Sequence, residues 1–171
     1  MSPAAIRIRP INPASDIEIT LVAARMRATL IEVEGEAAGT AMYSLDWLQD
    51  RVRFHLDGRA QAAQVLLAEL PDGQIAGHTI VRVEQAGEAG HHGLFSTSYV
   101  APEHRRGGIA SALLGAGEDW LLSQHVPELA TWTSATNHGL IALYARFGYA
   151  VTETHPHATT GTAMVRLTRR V

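Results

Sequence analysis

Apolar and polar positions change period several times along the chain, and each change predicts an element. Ile6-Arg7-Ile8-Arg9 alternates at period two and stops at Pro10, the pattern of a short strand. Asn12, Pro13, Ser15 and Asp16 supply turn and cap chemistry. Over residues 17–34, Val22, Met26, Leu30 and Val33 recur at helical spacing, while Arg25, Arg27, Glu32 and Glu34 fill other faces. Gly35 and Gly39 are expected to end that helix. Residues 44–55 read as a second helix, with Ser44 as cap and Leu45, Leu48 and Val52 on one side, closed by Asp57-Gly58.

Residues 64–70 and 74–85 are β-rich runs separated by Pro71-Asp72-Gly73, which predicts a hairpin. Gly87 and Gly90 fall in the loop after it, and residues 94–100 form another strand-type run. Beyond the pair Gly107-Gly108, Ile109, Leu113, Ala116 and Trp120 make the apolar stripe of a helix. Residues 129–135 predict a strand, 137–147 a helix ended by Gly148, and 149–154 and 162–168 the last two strands. The resulting order, β α α β β β α β α β β, predicts one α/β domain over residues 1–171. Its sheet is mainly antiparallel and interrupted by helical crossovers. No internal repeat, low-complexity tract or composition shift marks a linker.

Composition narrows the function classes. The 171 residues are 46% hydrophobic, enough for a core, and the formal charge of -3 provides no basic field for nucleic acid or an anionic membrane. The chain has no cysteine, which excludes disulfides, thiolate zinc sites and cysteine nucleophiles and fits a cytoplasmic location. Residues 1–10 lack an apolar signal segment, and no stretch reaches the roughly 20 apolar residues that span a bilayer, so a soluble protein is expected.

The most specific feature is residues 100–114, where Val100-Ala101-Pro102-Glu103-His104-Arg105-Arg106-Gly107-Gly108 leads into Ile109-Ala110-Ser111. Small residues let the backbone turn tightly, so that several N–H groups converge at a helix start whose dipole favours an anion. Arg105 and Arg106 add cationic charge. Taken alone, the two glycines are equally a plain strand-to-helix turn. A P-loop is excluded, because no Gly-Lys-Ser/Thr ending follows. A second segment, Asn137-His138-Gly139-Leu140-Ile141-Ala142-Leu143-Tyr144-Ala145-Arg146-Phe147-Gly148-Tyr149, joins an Asn, an apolar helix with Leu-Tyr, and Phe-Gly-Tyr opening the next strand.

Together these segments resemble motifs A and B of the GNAT superfamily of N-acetyltransferases. The first follows Gln/Arg-x-x-Gly-x-Gly/Ala through Arg105, Gly108 and Ala110, behind a Val-x-Pro-Glu-x-Arg lead-in. The resemblance covers nearly the whole element order. It implies the GNAT fold, a mixed, mostly antiparallel sheet of six to seven strands flanked by about four helices. It also implies acetyl-CoA as cosubstrate, no metal, and an assembly that in many relatives is a homodimer. By that resemblance the amides of Arg106, Gly107, Gly108, Ile109, Ala110 and Ser111 hold the CoA pyrophosphate, with Arg105 beside them. Val100 runs along the pantetheine, and Asn137 contacts the pantetheine arm or ordered water. The backbone N–H at Ser98 meets the acetyl oxygen, and the Tyr144 hydroxyl is the general acid near the thioester sulfur.

The implied reaction is direct attack of an amine on the acetyl thioester. One element of the family pattern is missing: the strand that often carries Glu or Asp reads Leu94-Phe95-Ser96-Thr97-Ser98-Tyr99. Ser96 or Thr97 ordering a water chain, or one of His78, His91 and His92, are the alternatives for the base. His155-Pro156-His157 lacks the further ligands of a metal site. Acceptor recognition is expected from residues 32–47, where Glu32, Glu34 and Glu36 attract a cationic amine and Tyr43, Trp47 and the more distant Trp132 form walls. The same residues also fit a solvated charge run and a core tryptophan. Three functions follow: acetylation of a small-molecule primary amine, acetylation of a protein N-terminus or lysine, or acyl-CoA binding without catalysis.

Overall fold

Helix starts follow local capping. Ser15 Oγ accepts the Glu18 amide at 3.2 Å at the start of α1 (Asp16–Glu34), and Ser44 Oγ accepts the Trp47 amide at 3.0 Å at the start of α3 (Leu45–Phe54). The computed structural model describes residues 5–85 and 90–171, so Gly87 and the first four residues lie outside the described part. The strands are β1 (Arg7–Pro10), β2 (Ala62–Glu69), β3 (Ile75–Gln85), β4 (His91–Val100), β5 (Glu128–Ser134), β6 (Ala150–Pro156) and β7 (Ala163–Arg170). A 3-10 turn at Pro102–His104 precedes α4 (Ile109–Ser123), and α5 (His138–Arg146) follows β5.

The expected helix count is corrected by one short element. Gly35 ends α1 at φ 85°, but the chain re-enters a helix at once as α2 (Glu36–Met42). Gly39 lies inside this helix instead of ending α1. A Cβ there would sit 2.6 Å from the Ile31 backbone, so glycine is what lets α2 fold back against α1. Among the described residues five α-helices flank the sheet, one more than the element order read from the sequence.

The seven strands form one sheet in the order β1-β2-β3-β4-β5-β7-β6, in which only β4 and β5 run parallel. Alternation along the strands divides the core between two faces. Val65, Leu67 and Ile80 meet Ile19, Val22, Met26, Leu48 and Val52 of α1 and α3. Val81, Phe95 and Leu129 meet Leu114 and Leu121 of α4 and Leu143 and Tyr144 of α5.

The middle of the sheet opens. The β4–β5 ladder has three pairs, Gly93–Leu129, Leu94–Ala130 and Phe95–Thr131, and then stops. On the other side of β4, Ile80 faces Thr97 and Val81 faces Phe95, which leaves Ser96 as a bulge residue. The bulge increases local twist and turns the rest of β4 away from β5.

Helix α4 is pressed onto this point. A Cβ at Gly117 would lie 2.5 Å from Phe95 Cε1, and Phe95 is itself fully enclosed. Beside it, the buried Glu118 carboxylate accepts the Tyr149 hydroxyl at 3.2 Å and pairs with Arg169, tying α4 to β7. Gly117→Ala gains about 1 kcal/mol of helix propensity but costs about 1–3 kcal/mol by overpacking against an enclosed ring. The contact is short enough for overpacking to win. Thermal unfolding of Gly117→Ala is expected to show Tm lowered by roughly 2–6 °C; an unchanged or raised Tm would refute the close approach.

Candidate active site

The glycine turn delivers an open helix end. Gly108 is the N-cap of α4 with φ 84° and ψ 2°, in the left-handed region, and no side chain caps the helix. A Cβ at Gly108 would meet nothing within 4 Å, so backbone conformation alone, not crowding, calls for glycine. The first intrahelical bond is Ala112 N–H to Gly108 O at 3.0 Å. The amides of Ile109, Ala110 and Ser111 therefore have no helical acceptor. Arg106 (φ 67°), Gly107 and Gly108 are exposed, whereas the Ile109 side chain is buried in the core and leaves only its amide on the turn. Arg105 is anchored differently: its Nε donates to Val100 O at 2.8 Å and its guanidinium pairs with Glu32 at 2.7 Å, which raises its pKa.

Where β4 and β5 part, side chains take over from the ladder. Thr131 Oγ1 donates to Phe95 O at 2.9 Å, satisfying a carbonyl at the last paired position. Ser98 and Thr79 share a hydroxyl hydrogen bond of 2.8 Å. Tyr144 is 2% exposed and stands edge-on to Phe95 and Tyr149, with ring centroids 5.7 and 4.9 Å away. Burial pushes its hydroxyl well above the ordinary tyrosine range, and the neighbouring Thr131 and Ser98 hydroxyls only partly offset that. The hydroxyl is a proton donor at every physiological pH. Asn137 caps α5, its Oδ1 accepting the Leu140 amide at 3.3 Å, while Nδ2 donates to Thr133 Oγ1 at 3.2 Å.

Two cavities meet at this fork. The first, about 300 Å³, is bounded by Ser98, Tyr99, Val100, Arg105 and Ala110 on one side and by α5 on the other. The second, about 330 Å³, lies against α1 and α3. Thr29, Ser98, Asn137, Leu140 and Tyr144 line both. Of the sequence-predicted set, Ser98, Val100, Arg105, Ala110, Asn137 and Tyr144 thus converge. Arg106, Gly107, Gly108, Ile109 and Ser111 form the turn between Arg105 and α4 without lining either cavity.

The second cavity gathers Tyr43, Trp47 and Trp132, with Tyr43 and Trp47 stacked at 4.2 Å, as well as Ser96 and Thr97. Of the three glutamates, Glu34 lines it, Glu32 lines the first cavity beside Arg105, and Glu36 lines neither. The expected histidines separate in the same way. His78 is buried behind β4, where its Nε2 meets Thr97 Oγ1 at 3.0 Å, and burial together with the Arg25 charge pushes it down to about 3. It is a weak base and lines neither cavity. His91 and His92 sit at the start of β4, at the far end from Ser98.

Arg51, which the sequence did not single out, and His157, read there only as part of a His-Pro-His run without further metal ligands, also line this cavity. Both come from elements distant along the chain, α3 and the β6–β7 connection, and only the fold joins them. His157 Nδ1 accepts the amides of Thr159 and Thr160 at 3.1 and 3.3 Å, so the neutral ring carries its proton on Nε2. The same connection is tied to α1, because Thr160 and Thr162 hydroxyls donate to Glu34 at 3.3 and 2.9 Å.

The acetyltransferase (GNAT) family model matches residues 48–149. The chain is 30% identical over 105 residues to aminoglycoside N(6')-acetyltransferase type 1 of Klebsiella aerogenes, covering 59% of this chain and 69% of that protein. Among solved structures, ribosomal-protein-alanine N-acetyltransferase from Brucella melitensis superposes with a TM-score of 0.73 at 22% identity, over 96% of this chain and 99% of that one. Arabidopsis thaliana Naa50, solved with a bisubstrate analogue containing CoA, gives 0.68 at 17% identity, over 97% and 99%. At these identities the superpositions establish the fold. On the family match and the first relative, the chain belongs to the GNAT family of acetyl-CoA-dependent acetyltransferases.

Proposed function

We propose that the protein transfers the acetyl group of acetyl-CoA to a primary amine of a small molecule, by direct attack within a complex of both substrates. The observation that carries this reading is the pair of cavities meeting at one wall of Ser98, Asn137 and Tyr144. The turn fits the donor: Gly108 holds the backbone in a conformation that leaves the Ile109, Ala110 and Ser111 amides without helical acceptors, next to the exposed Arg106. The second cavity is of small-ligand size and bounded on several sides by α1, α3, β5 and the β6–β7 connection. The β6–β7 connection closes one side of it, held to α1 through Glu34.

Acetyl-CoA, when bound, supplies the thioester. In the transfer the cationic amine first releases one proton to solvent; the neutral nitrogen then bonds to the acetyl carbon, the carbon–sulfur bond breaks, nitrogen loses a second proton and the leaving sulfur gains one. The buried, always protonated Tyr144 hydroxyl is the donor for that sulfur. Ser98 offers its backbone N–H toward the acetyl oxygen, on the stretch of β4 that has left its ladder with β5. Glu34 is the only carboxylate among the described residues lining the second cavity, and it attracts the cationic amine.

Gly108→Val places a branched side chain at φ 84°, at a strain cost of about 1–2 kcal/mol, and so disfavours the turn that leaves the Ile109, Ala110 and Ser111 amides uncapped. Calorimetry is expected to show CoA affinity reduced at least about 100-fold, with Tm lowered by only a few degrees. Wild-type affinity in that variant would sink the assignment of this turn to the donor. Tyr144→Phe is expected to lower kcat by about 10- to 100-fold, at or below the low end of general-acid effects because a thiolate leaves easily. The folded pKa of Tyr144 lies above the ordinary value near 10. Wild-type kcat is therefore expected to rise and level with pH, with no descending limb up to about pH 9.5. A limb falling through pH 8 would show a different acid. Free-thiol release over an amine panel, alongside mass spectrometry of acetylated lysate proteins, separates small-molecule from protein acceptors.

A further inference from the structure

Arg51 is the arginine of the second cavity, and among the described residues no carboxylate forms an ion pair with it. It lies on α3, half-buried, and lines the cavity that also holds Ser96, Trp47 and Glu34. Its two cationic neighbours are neutralised: Arg82 pairs with Glu84 at 2.9 Å, and Arg59 with Asp50 and Asp57 at 3.0 and 2.9 Å. Among the described residues no carboxylate pairs with Arg51, and Glu34 spends its oxygens on the hydroxyls of Thr160 and Thr162. Burial, first, and then the nearby Arg82 disfavour the charged guanidinium; Glu84 acts the other way and Arg59 adds to the penalty, the net direction being down. Packing over the Phe54 ring at 4.2 Å offsets a little of this, because an aromatic face attracts a cation. Holding a cation half out of water without a directly paired carboxylate is unfavourable until an anion arrives.

The rest of the cavity restricts what that anion is. Its walls are largely apolar and aromatic, including Met26, Leu30, Tyr43, Trp47 and Trp132. They suit a hydrophobic body more than a highly hydrated one. His157 presents a second donor, since Nδ1 is occupied by the Thr159 and Thr160 amides and the proton sits on Nε2. One cation, one neutral donor and one carboxylate do not suit a polycationic amine, which would meet Arg51 as a like charge. We infer that the acceptor is an apolar or aromatic primary amine bearing a carboxylate, and that Arg51 is the residue that selects it by binding that carboxylate. The fork geometry of a guanidinium matches a carboxylate through two parallel hydrogen bonds. This inference rests on the reading of the second cavity as the acceptor site.

The test uses matched pairs that differ only in the carboxylate: the N-acetyl derivatives of phenylalanine, tryptophan, methionine and leucine, and the corresponding amides. Binding to the full-length protein with CoA present is measured by calorimetry, which needs no turnover. At least one acid is expected to bind about tenfold or more tightly than its amide. Arg51→Gln is expected to bring that ratio within about twofold and Arg51→Lys to keep part of it, because a point charge attracts without the fork. The inference is overturned if no acid outbinds its amide, or if the preference survives in Arg51→Gln. Failure of the transferase reading looks different: acid-selective binding persists, but thiol release from acetyl-CoA stays at the hydrolysis rate with every free amine, charged or neutral.

Discussion

The hydrogen bond from the Thr131 hydroxyl to the Phe95 carbonyl closes the parallel ladder at the residue pair where β4 and β5 separate. A buried carbonyl at the end of a ladder needs a partner, and without one it would cost roughly 1–3 kcal/mol. With the side chain supplying it, the sheet can open without leaving that group unsatisfied. The Ser96 bulge bends the outgoing strand, and Asn137 and Tyr144 from α5 stand at the gap. Every group assigned a part in the transfer chemistry is reached from that one break in regular pairing.

Packing around the break is tight on the α4 side. Gly117 lets the helix rest on Phe95, Phe95 stands edge-on to Tyr144, and Tyr144 stands edge-on to Tyr149. Tyr149 reaches Glu118, which is held in turn by Arg169. Aromatic pairs of this kind hold rings in set positions and contribute about 0.5–1.5 kcal/mol each beyond burial. The Tyr144 hydroxyl is thus fixed by the core and not by exposed loops. The α1–α3 side is built otherwise, with caps at Ser15 and Ser44 and a helix reversal at Gly39.

Most elements were legible because their signals are local. Period-two runs located the strands to within a few residues, and Ser15, Ser44 and Asn137 cap the helices they were expected to start. Residues 100–114 and 137–149 were readable as one site because their spacing has a physical meaning and resembles a known family. Gly39 misled, because in sequence a glycine that stops a helix looks the same as one that lets two helices touch. The histidines were ambiguous for a related reason: burial decides their chemistry, and burial of His78 behind Thr97 is a tertiary property. Arg51 was illegible and His157 was noticed only as a histidine without metal partners, since their meaning comes from which charges lack partners and which tautomer is held. Both depend on residues far away in sequence.

The shared wall of Thr29, Ser98, Asn137, Leu140 and Tyr144 also constrains the order of events. A ligand pressing on either side of it acts on the same five side chains, so the affinity measured for one substrate should depend on whether the other is present, and by the same factor in both directions. In the proposed direct attack the acetyl group has no residence on the protein between donor and acceptor. For the proposed transfer, initial-rate plots against the two substrates would then intersect rather than run parallel. Coenzyme left behind after turnover would compete with the next donor while leaving the neighbouring compartment open.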